Sequence, residues 1–205
     1  MSLYSALYKP LSPFFRWLFR VRLEGSENEP KEGGFLICPN HLSNFDVIVV
    51  AACMKHKVHF FAKAELFKVP LLKQLITALG AFPVKRGAAD ISAIKNTIKL
   101  LSEKKCVGLY PQGTRRMGVD PRETEVKAGV AMIEYRAGVP ILPVCIQTKK
   151  MRMLPFRKTT VKIGKPIEAH ELNFNIGSKS EYEDASRIIF NRITDMLEPD
   201  GDVIK

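Results

Sequence analysis

His41 and Asp46 stand five residues apart where the chain passes from an apolar run at 35–38 into a second at 47–54. On one continuous helix such positions point about 140° away from each other, so the side chains would not meet. They meet if His41 lies in the turn before a helix and Asp46 in its first turns, with Ser43 or Asn44 as the N-cap. Asp46 then accepts from one imidazole nitrogen and fixes the tautomer, leaving the other nitrogen to take a proton from a hydroxyl. This is the histidine and carboxylate part of a triad with no serine supplied, so the attacking alcohol would be the substrate's own. On these two residues alone, the competing reading is an aspartate that merely caps a helix or complements its dipole.

A second turn with chemical potential follows an expected strand at 106–110: Pro111, Gln112, Gly113, Thr114, Arg115 and Arg116. A glycine-containing turn carrying a hydroxyl and two guanidinium groups suits phosphate oxygens, which take bidentate arginine contacts and backbone amides.

The elements that must position these groups are legible as alternating patterns. Expected strands fall at 21–25, 35–38, 58–62, 106–110, 139–146 and 160–164, and expected helices at 47–55, 71–79, 91–103, 127–137 and 180–197. Asp90 is the expected cap of the helix at 91–103, and Gly138 the stop of the helix at 127–137. Strands alternating with helices predict an α/β sandwich, and 205 residues suit a single domain with a sizeable core. Residues 1–22 are rich in large apolar side chains and interrupted by Lys9, Arg16, Arg20 and Arg22, with Pro10 and Pro13 predicting two short helical pieces with a break. That pattern fits an interfacial membrane anchor as well as a helix packed on the core.

The net charge of +11 calls for an anionic partner: nucleic acid, an acidic membrane surface, or a phosphorylated or acidic-protein-borne substrate. The four cysteines, without a C-x-x-C pair and each in an apolar run, read as reduced core residues of a cytosolic protein. His56 and His59 stand alone, and no metal site is expected. No signal peptide is evident, and no segment approaches the roughly 18 uninterrupted apolar residues of a membrane span.

With these residues placed, the sequence resembles the lysophosphatidate acyltransferase (1-acylglycerol-3-phosphate O-acyltransferase) family over about residues 21–167. Asn40, His41 and Asp46 match its N-H-x-x-x-x-D motif. Residues 82–86, preceded by Ala62, Lys63, Glu65 and Leu66, match the second motif, and residues 139–144 match the proline-bearing fourth. The third motif, usually E-G-T-R-S, reads Gln112, Gly113, Thr114, Arg115 and Arg116, departing at Gln112 and Arg116.

The resemblance implies a mixed central β-sheet flanked by helices and an acyltransferase domain, placed at 23–205, while the apolar and basic pattern of 1–22 makes that stretch the expected amphipathic membrane-associating segment. The resemblance also implies acyl transfer from acyl-CoA or acyl carrier protein, as co-substrate, to the free hydroxyl of a lysophosphatidate, with no cofactor. His41 would be the general base and Asp46 its orienter. Lys63, Arg86 and Arg115 would bind the acceptor's phosphate, with Gln112, Gly113 and Thr114 shaping the same site. The expected setting is cytoplasmic and peripheral, on an anionic inner membrane face. The rivals are acylation of another lysolipid or of glycerol 3-phosphate, and a non-catalytic basic membrane- or nucleic-acid-binding protein. No nucleic acid is expected, because no zinc finger, helix-turn-helix or RNA-binding sheet motif is present.

Overall fold

The computed structural model describes residues 3–84 and 90–198. Its centre is a seven-stranded sheet in the order β1-β7-β6-β2-β5-β3-β4, formed by β1 (Val21–Glu24), β2 (Leu36–Pro39), β3 (Val58–Lys63), β4 (Phe82–Val84), β5 (Cys106–Gly108), β6 (Ile141–Thr148) and β7 (Thr159–Ile163). Every pairing is parallel except that of β6 with β7, so β1 and β7 run opposite to the other five strands. The fold is mixed α/β, with helices flanking the sheet. They are α1 (Leu3–Leu18), α2 (Asp46–Cys53), α3 (Pro70–Ala78), α4 (Ile91–Ser102), α5 (Gly129–Ala137) and α6 (Lys179–Thr194).

Burial follows from strand position. β2 lies between β5 and β6 and is covered on both faces, so it reads as a continuous apolar run with no alternation; β6 is buried along its whole length for the same reason. At Gly108 on β5, an added Cβ would come within 2.0 Å of the Phe60 ring of β3, so the glycine lets these neighbouring strands pack.

Local chemistry sets the helix ends. Asp90 caps α4, its Oδ1 accepting from Ala93 N at 3.1 Å. α5 stops at Gly138 in a left-handed conformation, φ 59°. A reciprocal pair of bonds between Ser178 and Glu181 opens α6.

The expectation of two N-terminal pieces is corrected: α1 is a single helix with Pro10 and Pro13 inside it. Proline removes a backbone donor, but tertiary bonds to α2 hold the helix path here. Tyr8 donates its hydroxyl to Met54 O at 2.5 Å, and Ser12 donates to Ala52 O at 2.8 Å. Phe19, just beyond the helix, is fully buried. All four cysteines are free and buried. Desolvation pushes the thiols of Cys53, Cys106 and Cys145 up to about 12 and that of Cys38 higher still, so none carries thiolate character at neutral pH. No helix among the described residues is long and apolar enough to cross a membrane.

The topology gathers distant segments at one edge. The carboxyl ends of β2, β3, β4, β5 and β6 share it, and because β1 and β7 run the other way, their amino ends lie there too. The 40–46 loop, the turn after β5, the end of α1 and the 149–158 connection all meet on that rim.

Candidate active site

The site starts from Asn40, which directly follows β2 and is fully buried. Its side chain holds the next strand like a piece of backbone, Oδ1 accepting from Ile146 N at 2.6 Å and Nδ2 donating to Ile146 O at 2.9 Å. The chain therefore leaves the sheet at a fixed point, and His41 is the next residue.

Asp46 is the first residue of α2 and has no solvent exposure. Its Oδ2 lies 2.8 Å from His41 Nδ1 and also accepts from Leu42 N at 2.6 Å and Ser43 N at 2.8 Å. A carboxylate only accepts, so the proton sits on Nδ1 and the Nε2 lone pair is left to act as a base. The expected cap differs: Phe45 precedes the helix, and Ser43 Oγ accepts from Phe45 N at 3.1 Å instead of capping it. Asp46 instead reaches back to the amides of Leu42 and Ser43, which precede the helix.

The turn after β5 grips the backbone of His41 from the other side. Gln112 Oε1 accepts from His41 N at 2.6 Å, and Arg116 N donates to His41 O at 2.9 Å. Gln112 was expected among the substrate ligands, but its side chain turns inward at 1 % exposure. Its amide donates to Thr124 Oγ1 at 2.7 Å, and the Thr124 hydroxyl donates in turn to Pro121 O at 2.7 Å. The two ends of a neutral amide match an N–H on one side and a hydroxyl oxygen on the other. Gly113, at φ 66°, closes the turn through Gly113 N to Tyr110 O at 2.9 Å.

Gly113 and Thr114 are exposed, and a guanidinium nitrogen of Arg115 is hydrogen-bonded to Asn44 Oδ1, joining the two loops at the surface. Lys63 is exposed at the carboxyl end of β3, on the same edge. Arg86 lies outside the described residues.

Several supports carried no signal in the one-dimensional pattern. The Tyr110 ring is stacked on the His41 imidazole with centroids 3.9 Å apart and planes at 20°. Its hydroxyl and Asp46 Oδ1 are both buried without a hydrogen-bond partner among the described residues. Burial, then the charge of Asp46, pushes the Tyr110 phenol well above its ordinary range, so it stays neutral. Asn40 is visible as a motif residue, but its clamp on Ile146 and the Gln112 to Thr124 bond depend on neighbours remote in sequence. Among the described residues, no group of three or more His, Cys, Asp or Glu is arranged to hold a metal ion.

A buried histidine and carboxylate at the carboxyl edge of a mixed sheet can serve group transfer, and among the described residues no serine or cysteine is hydrogen-bonded to the imidazole. The Acyltransferase family model matches residues 20–147, and the chain belongs to this family of enzymes. It is 30% identical over 180 residues to the 1-acyl-sn-glycerol-3-phosphate acyltransferase of Bacillus subtilis (strain 168), covering 86% of this chain and 87% of that one. The protein of the same name from Borreliella burgdorferi is 27% identical, over 89% of this chain and 74% of that one. The crystal structure of the 1-acyl-sn-glycerophosphate (LPA) acyltransferase, PlsC, from Thermotoga maritima matches with a TM-score of 0.71 at 27% identity, covering 93% of this chain and 78% of that one.

Proposed function

We propose that this chain transfers a fatty acyl group from an acyl thioester to the free hydroxyl of 1-acylglycerol 3-phosphate, forming phosphatidate. The observation that carries the mechanism is the His41 Nδ1 to Asp46 Oδ2 contact of 2.8 Å, which leaves Nε2 as the free base. The acceptor hydroxyl attacks the thioester carbonyl carbon while Nε2 takes its proton. The tetrahedral intermediate then collapses, the carbon–sulfur bond breaks, and the imidazolium returns the proton to the leaving thiolate. Asp46 orients the ring and stabilises the imidazolium between these steps.

Lys63, Arg86 and Arg115 bind the acceptor's phosphate, supported by the convergence of Lys63, Gly113, Thr114 and Arg115 on the His41 edge. Gln112 acts through the His41 backbone it holds. The thioester carrier is coenzyme A or acyl carrier protein, and the net charge of +11 suits either anionic carrier. We also infer that residues 1–22 dock on an anionic membrane surface at its cytoplasmic face, with 23–205 as the acyltransferase domain. α1 keeps Phe14 and Trp17 exposed while its other side is tied to α2.

The test is thiol release from acyl-CoA and from acyl-ACP, with and without lysophosphatidate. Acceptor-dependent release that disappears in His41→Ala supports the reading. Equal release by wild type and His41→Ala would overturn it, and release only with a different lysolipid would replace the acceptor.

A further inference from the structure

We propose that the connection between β6 and β7, residues 149–158, is a second bilayer-docking element, whose cations bind anionic phospholipid headgroups while Leu154 and Phe156 insert beside Trp17. It rests on the reading of α1 as an interfacial helix and extends it to a part of the chain far away in sequence.

The first observation is chemical. The segment carries Lys149, Lys150, Arg152, Arg157 and Lys158 and no acidic residue. None of these five cations forms an ion pair among the described residues. Interleaved with them are Leu154 at 45% and Phe156 at 59% exposure. Large apolar tips among unpaired cations match the layering of an anionic bilayer, where headgroup charge lies above acyl chains.

The second observation is conformational. Lys150, Met151 and Phe156 hold positive φ angles of 55°, 47° and 61°, a left-handed region that is costly for side chains of this size. The segment is nevertheless pinned. Met151 and Met153 are buried, Phe156 N donates to Leu18 O at 2.6 Å, and Gly118 N donates to Met151 O at 3.0 Å. Arg157 ties the segment to itself through the carbonyls of Lys149 and Arg152, each at 3.2 Å. A held, strained loop presents Leu154 and Phe156 outward as fixed points.

The third observation is continuity. Phe156 meets Trp17 edge-on with centroids 5.5 Å apart, and Trp17 lies 6.2 Å from Phe14. Two residues on from Trp17, Phe19 contacts Phe45 at 5.2 Å, and Phe45 directly precedes Asp46. The exposed aromatic surface thus spans Phe156, Trp17 and Phe14 at the end of α1, while the buried Phe19 packs against Phe45, itself 40% exposed, on the loop that holds His41. A bilayer covering this surface would deliver an amphipathic acceptor beside the base.

Trp17 is the sole tryptophan, so its fluorescence reports on this surface. The full chain is mixed with phosphatidylcholine vesicles, with and without phosphatidylglycerol, and with brominated acyl chains as quenchers; co-sedimentation gives an independent partition coefficient. We expect a blue shift and quenching of Trp17 on the anionic vesicles. Leu154→Ser with Phe156→Ser, and separately Lys149→Glu with Lys150→Glu, should each lower partitioning about ten-fold or more. Their thermal melts and their turnover of a short-chain monomeric acceptor should match wild type.

Wild-type partitioning in both double variants would overturn the proposal and leave α1 docking intact. No vesicle binding by wild type would sink both. A wild-type dimer without lipid that the Leu154/Phe156 variant dissociates, with no quenching on vesicles, would assign the surface to self-association. Failure of the acyl-transfer reading shows separately, as absent turnover in a chain that still binds vesicles.

Discussion

The imidazole of His41 lies almost flat against the phenol ring of Tyr110, centroids 3.9 Å apart, while the Tyr110 hydroxyl is buried without a partner among the described residues. The ring fixes the plane of the imidazole, and the hydroxyl adds a desolvation cost. Tyr110→Phe should therefore keep activity and raise the melting temperature slightly, since an unmade buried hydrogen bond costs about 1–3 kcal/mol. Tyr110→Ala should lose about 3–5 kcal/mol of stability and most activity. Calorimetry with the thiol-release assay separates them, and equal losses in both variants would show that the hydroxyl has a bonding role.

Asp46 accepts from the His41 ring and from two loop amides at once. Asp46→Asn offers one acceptor oxygen and an N–H₂ group that can face Nδ1 and hold the wrong tautomer. Turnover should fall about 10³-fold or more, approaching the loss in His41→Ala. Single-turnover thiol release measures it, and a loss smaller than ten-fold would mean that His41 does not depend on this partner.

Gln112 holds His41 N with its oxygen and Thr124 with its amide. Gln112→Ala orphans the His41 amide and should reduce turnover about 10- to 100-fold. Gln112→Glu keeps an acceptor for His41 N, and the Thr124 hydroxyl can rotate from Pro121 O to the carboxylate, so activity should stay within about ten-fold of wild type. If the two variants are equally impaired, the neutral amide itself is required.

Glu134 on α5 is 1 % exposed, and neither carboxyl oxygen has a hydrogen-bond partner among the described residues. Burial, with Glu168 adding to it, pushes its ionisation up from 4.5 to about 7. The folded chain therefore prefers the protonated form, and the associated stability is complete below about 4.5 and is lost as the pH rises through about 7. Glu134→Gln should raise the melting temperature by several degrees at about pH 8 and change it little at about pH 4. A melting-temperature gap independent of pH would contradict the buried, titrating carboxyl.

The succession of strands and helices along the chain apart from β4, the Asp90 cap, the Gly138 stop and the burial of the cysteines were legible, because periodicity, capping and apolar runs act over a few residues; the three residues of β4 are too short a run to show such a pattern. So was the meeting of His41 with Asp46, since a turn entering a helix can join residues five apart. Membership of the acyltransferase family was legible in four spaced motifs. What faces what across the sheet was not. Gln112 reaches His41 across 71 residues because β2 and β5 are neighbours, and that adjacency also sets Tyr110 against the imidazole. The prolines of α1 argued locally for a break that bonds to α2 overrode. Phe156 meets Trp17 because β1 lies parallel beside β7. Local propensity carries no information about strand order; that order is decided when the whole core closes.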